Sequence, residues 1–163
     1  MNPSIRDMIE NQTVFGITPE ASVQEAAVLM TTHGIGALAV TQGTELIGIF
    51  TERDLVGRVV ASRLDPELTL VRQVMTEQPK IIGSDQTPCD ALDLMHAHGF
   101  RHLPVVEGEQ LIAMLSMRDI PTKYRFMREK WIEMRRGVTV TLIAKWRSFL
   151  SAIWRSRCRT LRP

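Results

Sequence analysis

The sequence predicts two tandem copies of one small mixed α/β unit, followed by a basic helical extension. Three observations lead there. First, residues 17–54 recur at 82–119, an offset of 65 positions without a gap. Ile17 falls on Ile82, Leu29-Met30 on Leu94-Met95, His33-Gly34 on His98-Gly99, Leu38 on Leu103, Gly43 on Gly108 and Arg53-Asp54 on Arg118-Asp119. So long a period suits a duplicated α/β unit better than a solenoid, whose repeats are shorter and more numerous. Second, the apolar pattern within each copy alternates between strand-like and helix-like periods. Third, charge divides the chain. Residues 1–120 carry 8 Lys/Arg against 16 Asp/Glu, net −8, whereas residues 121–163 carry 12 against 2, net +10.

In the first copy, residues 14–17 form a short apolar strand that Thr18-Pro19-Glu20 turns. Ser22 with Glu25 three residues on predicts a helix start. Val23, Ala26, Ala27 and Met30 then recur at helical spacing until Gly34 ends the helix. Residues 37–41 and 46–50 are strands around the turn Gln42-Gly43-Thr44. A second helix opens at Thr51 and runs to about residue 62. The second copy repeats this order, with strands near 80–83, 102–106 and 111–115 and helices from Pro88 and Ser116. The expected boundaries are residues 3–62 and 79–120 for the units, 63–78 for a linker with a helical turn near 70–75, and 121–163 for the tail. Pro121 should kink or stop the helix begun at Ser116.

A chain of 163 residues, 44% of them hydrophobic, can bury one respectable core or two small ones packed together. No apolar run reaches the roughly 20 residues needed to cross a bilayer, and the first residues lack a signal-peptide core. The expectation is a cytoplasmic protein, soluble or peripheral at a membrane. Cys89 and Cys158 are the two cysteines, so reduced thiols are expected and a disulfide framework is not.

Each copy closes its third strand with one device: Thr51-Glu52-Arg53-Asp54 and Ser116-Met117-Arg118-Asp119. One reading is a helix N-cap, with a hydroxyl taking the third following N–H and an acid in the first turn. The other is a ribose-phosphate cradle. Asp, shorter than the Glu a capping box prefers, keeps a carboxylate near the backbone for a vicinal diol, and Arg beside a helix N-terminus attracts phosphate.

With the strand before it, this device resembles the end of a CBS domain, and two in tandem resemble a CBS pair. Phe100-Arg101-His102-Leu103-Pro104-Val105-Val106 fits the family's middle strand. The resemblance spans about residues 3–120. It implies an α+β fold of two β-α-β-β-α units packed sheet to sheet with pseudo-twofold symmetry. It also implies clefts for an adenosine ligand (AMP, ADP, ATP, NAD or S-adenosylmethionine), a regulatory and non-catalytic role toward a partner protein, no required cofactor, and a homodimer. Carried over, Asp54 and Asp119 take ribose hydroxyls, and Thr51 and Ser116 bond ribose or phosphate. The main chain at Ile82 (and Ile17) meets adenine, and Arg101 and His102 beside Pro104 reach phosphate, with Arg118 a weaker candidate. The positions matching Arg101, His102 and Pro104 are Gly36, Ala37 and Ala39, so the ligand is expected mainly in the second copy's cleft.

Other chemistries find little support. His96 and His98 are two apart on a helix and face different ways, with no carboxylate or Cys to complete a metal set with His102. Gly34-Ile35-Gly36 is neither a dinucleotide fingerprint nor a P-loop, and no catalytic triad order stands out. In the tail, Tyr124, Met127, Trp131, Met134 and Val138 form one apolar stripe; Trp146, Phe149 and Trp154 lie on another among Lys and Arg. Packing on the module or dimerisation, an anionic membrane surface and, least supported, nucleic acid remain open for it.

Overall fold

The structure, a computed structural model, describes residues 4–9 and 12–126; the apolar stripes expected of the tail lie outside the described residues beyond Phe126. The first unit runs β1 (Gly16–Ile17), α1 (Val23–His33), β2 (Ala37–Gln42), β3 (Glu45–Thr51) and α2 (Glu52–Asp54), which continues as a π-helix over Leu55–Val60. The linker supplies α3 (Val71–Val74) and β4 (Thr76–Glu77). The second unit then follows with β5 (Ile82–Gly83), α4 (Pro88–His98), β6 (His102–Glu107) and β7 (Gln110–Ser116).

Local chemistry accounts for the elements. Ser22 and Glu25 close the capping box of α1, and Gly34 ends it in the left-handed conformation, φ 63°. Thr87 and Asp90 do the same for α4, with Pro88 in the first turn and Gly99 at φ 71° behind it. β1 and β2 pair in parallel, β2 and β3 antiparallel, and β4 adds an edge the sequence did not announce. The second sheet repeats the order as β5-β6-β7. Even the irregularity repeats: the register slips between Val40 and Thr41 and again between Val105 and Val106. The expected helix from Ser116 is absent. Met117–Ile120 form a turn, and helical backbone resumes at Thr122. Pro121 explains this, since it has no N–H for the helical bond to the Met117 carbonyl and its ring would strike that carbonyl.

The two units exchange their leading segments. Ile5 and Arg6 N–H groups donate to the carbonyls of Gln86 and Ser84 in the second unit. Val71 and Arg72 N–H groups donate to the matching carbonyls of Ala21 and Pro19 in the first. Ile5 and Ile9 therefore complete the core of Ile82, Leu92, Met95, Leu103, Val105 and Leu115. Val71 and Val74 complete that of Val23, Met30, Leu38, Val40 and Phe50. Arg6 pairs with Glu107 at the same place. This reciprocity is a pseudo-twofold relation between the units, and across the seam β7 touches β2 and β3. Cys89, buried at the start of α4, is disulfide-bonded, which corrects the expectation of a reduced thiol. A cysteine count bears on a disulfide framework, not on the state of one thiol. No helix among the described residues is long and apolar enough to cross a membrane.

Candidate functional site

The Thr51 device does cap its helix. Its hydroxyl accepts the Asp54 N–H at 3.3 Å, and the Asp54 carboxylate accepts the Thr51 N–H at 3.0 Å and hydroxyl at 2.6 Å. Thr87 and Asp90 form the same box without lining the cavity beside Asp54, so Asp in place of Glu does not by itself mark a binding site. What sets Asp54 apart is its surroundings. It is 9% exposed, and its second oxygen lies 3.3 Å from Arg58 Nε. The Arg58 guanidinium also donates to the carbonyls of Val74 and Met75 and, at 3.1 Å, to the Thr76 hydroxyl. One side chain thus ties the carboxylate to the linker. The sequence reading missed Arg58; its signal was the Asp–Arg spacing of four on a helix.

Above Asp54 opens a cavity of about 490 Å³ along the seam. Thr51, Asp54 and Arg58 form one side, and Thr76 and Gln78 of the linker with Lys80 just after it form a second. Arg101, His102 and Pro104 of the second unit form the third. The cleft is therefore composite: the Thr-x-x-Asp of one copy meets the basic strand of the other. Of the residues singled out from sequence, it gathers Thr51, Asp54, Arg101, His102 and Pro104. Ile82, Ser116, Arg118 and Asp119 are not among its lining residues. Ile82 is buried in the second core, and Ser116 pairs with His102 across β6 and β7. Arg118 and Asp119 are exposed, the Asp119 carboxylate accepting the Ser116 N–H at 2.7 Å.

Electrostatics favour an anion here. Arg53, Arg58, Lys80 and Arg101 line the cleft against Glu52 and Asp54, a local +2, whereas residues 1–120 as a whole carry −8. Arg53 is committed to the Gly99 carbonyl at 2.6 Å, bracing the C-terminus of α4. Lys80 and Arg101 have no ion-pair partner among the described residues. Burial, then the charge of Arg101, holds the His102 imidazole below its usual proton affinity. Glu52 and Asp119 oppose this, and Arg118 adds to it slightly. Gly36, the counterpart of Arg101, lets these groups close up: a Cβ there would lie 3.0 Å from Glu52 Oε2 and 3.3 Å from His102 Cε1. No group of His, Cys, Asp and Glu suited to a metal ion occurs among the described residues.

Known proteins share this chain's sequence and fold. A CBS domain-containing protein of Arabidopsis thaliana, CBSCBSPB3, is 37% identical over 108 residues, covering 66% of this chain and 19% of the relative. The chain spans 18–19% of the length of this and two further Arabidopsis relatives. The CBS-domain containing protein ATU1752 of Agrobacterium tumefaciens superposes with a TM-score of 0.69 at 31% identity, covering 76% of this chain and 99% of that one. The CBS domain protein PAE2072 of Pyrobaculum aerophilum, complexed with AMP, shares the fold at 22% identity and a TM-score of 0.67, over 72% of this chain and 89% of that one. The CBS domain model matches twice, at residues 5–61 and 71–122. With both repeats matched and both sheets in place, the chain belongs to the CBS-domain family.

Proposed function

We propose that this double unit is a non-catalytic regulatory module that holds one adenosine nucleotide in the composite cleft and passes its occupancy to a partner protein. The observation that carries this reading is the opposition of the Asp54 carboxylate to Arg101, His102 and Lys80 across one cavity. A carboxylate accepts both hydroxyls of a vicinal diol; an Arg fork and a Lys suit phosphate. About 490 Å³ is in the range of small-ligand pockets. The fold's capacity for this ligand class is supported by the AMP complex of the P. aerophilum protein.

In this reading Thr51 and Asp54 hold ribose, Arg101 and His102 hold phosphate, and Pro104 shapes the wall. The main chain leading to Ile82 passes the cavity at Pro79 and Lys80, where an adenine edge can meet it. At the pseudo-equivalent position, Ser116, Arg118 and Asp119 would be matched with Gly36, Ala37 and Ala39, which carry no charge. One ligand per chain is expected. Titration calorimetry with AMP, ADP, ATP and NAD tests this: saturable binding near one per chain supports the module, and no binding by any of the four removes it.

The module is also expected to work as a homodimer. Val56 and Val60 stand 62% and 64% exposed on the helix after Thr51, and Leu64, just beyond its end, is 43% exposed. A twofold contact would bury that stripe. Light scattering at tens of micromolar tests it, and a monomer mass would contradict it.

A further inference from the structure

Gln78 carries a backbone conformation that its side chain disfavours. Its φ is 45°, in the left-handed region that glycine enters freely and other residues rarely do. Pro79 follows, and a residue before proline is driven toward extended backbone instead. The position is pinned in place. Gln78 donates its N–H to the Ile47 carbonyl at 3.2 Å, just past the β3–β4 pairing of Gly48 with Glu77 and Ile49 with Thr76. The strain does not come with the repeat, because Thr13, the counterpart in the first copy, is not at positive φ. It occurs where the chain forms the linker wall of the cleft, and Gln78 lines that cleft. Its amide makes no hydrogen bond among the described residues.

A non-glycine residue held at such an angle beside a cavity points to use of its side chain. We infer that Gln78 reads the base of the nucleotide, making it a specificity-determining residue; the inference rests on the nucleotide reading of the cleft. A carboxamide offers one acceptor and two donors on one plane. Adenine presents an amino donor at N6 beside an acceptor at N7, which the amide matches with two hydrogen bonds. Guanine presents acceptors at both O6 and N7, so one end of the amide is left unpaired. Gln78 thus favours adenine over guanine.

Calorimetry of the full chain with AMP and with GMP, alongside thermal unfolding, tests this on wild type, Gln78→Gly and Gln78→Glu. Wild type should prefer AMP. Gln78→Gly should unfold at the same or a higher temperature, because the strain is relieved. Its AMP affinity should fall about three- to tenfold, with a matching loss of preference over GMP. Gln78→Glu keeps the strained backbone and an acceptor for N6 but has no donor for N7, so its AMP affinity should fall by a similar factor while GMP binding stays weaker still. Either variant keeping wild-type AMP affinity and the wild-type AMP-to-GMP ratio overturns the inference while leaving the nucleotide site standing. So does a wild-type ratio near one. If wild type binds neither nucleotide, the reading of the cleft fails, and this inference fails with it.

Discussion

Asp54→Ala should weaken AMP binding far more than Asp119→Ala, although the two residues occupy the same place in the repeat. Asp54 is nearly buried beneath the cavity. Thr51 and Arg58 occupy only part of its accepting capacity, since a carboxylate offers about four lone-pair sites. Each hydrogen bond from a ribose hydroxyl to a charged acceptor is worth roughly 1.5–3 kcal/mol. Removing the pair, with water replacing it in part, should cost about 2–3 kcal/mol, or roughly 30- to 160-fold in Kd. Asp119 is exposed and outside the lining, so its loss should stay within about 0.5 kcal/mol, near twofold. The substitution at Asp54 also opens a helix cap, costing about 1 kcal/mol of stability. Asp54→Asn, which keeps a side-chain acceptor, is therefore measured beside it, with unfolding curves for all three. Calorimetry at 25 °C reads the result. If Asp119→Ala lost binding while Asp54→Ala titrated like wild type, the composite cleft would be refuted.

Other consequences follow from the same geometry. His102 binds its proton less tightly than the ordinary value of 6.5, so a bound phosphate should draw a proton back. AMP affinity should rise as pH falls from about 7.5 to about 6, and His102→Gln should flatten that dependence in calorimetry. In the free protein the sign is opposite. The unfolded chain binds more protons at this histidine, so its contribution is complete above pH 6.5 and declines as pH falls through and below it. Ile5→Ala should lower stability by about 2–5 kcal/mol in urea unfolding, because Ile5 is fully buried in the opposite unit's core. Arg58→Met should speed hydrogen exchange at residues 75–78 and reduce AMP affinity roughly three- to tenfold, since Arg58 orients Asp54 and holds the linker.

Much of this fold was legible because its elements are locally coded. Ser22 with Glu25, Gly34, Pro88 and Gly99 each mark a helix end, and each does so in the structure. The 65-residue offset reappears as matched bulges at Val40 and Val105. Pro121 was seen to interrupt a helix, but not that too little remained between Ser116 and Pro121 to form one. Long-range features were harder. Nothing local tells Ile5 to cross to the second unit, because an apolar residue is equally content in either core. The same blindness affected the cleft. Arg101 and His102 were paired with Asp119 by their shared copy, whereas they line one cavity together with Thr51 and Asp54. Residue types were readable from the chain; the partner across the seam required the twofold.

The most direct test is a crystal structure of the full chain with AMP. The composite cleft predicts ribose hydroxyls within hydrogen-bond distance of the Asp54 carboxylate and phosphate oxygens at Arg101 and His102, one ligand per chain. AMP seated with its ribose on Asp119 and its phosphate away from Arg101, or crystals grown in saturating AMP with the cleft empty, would contradict it.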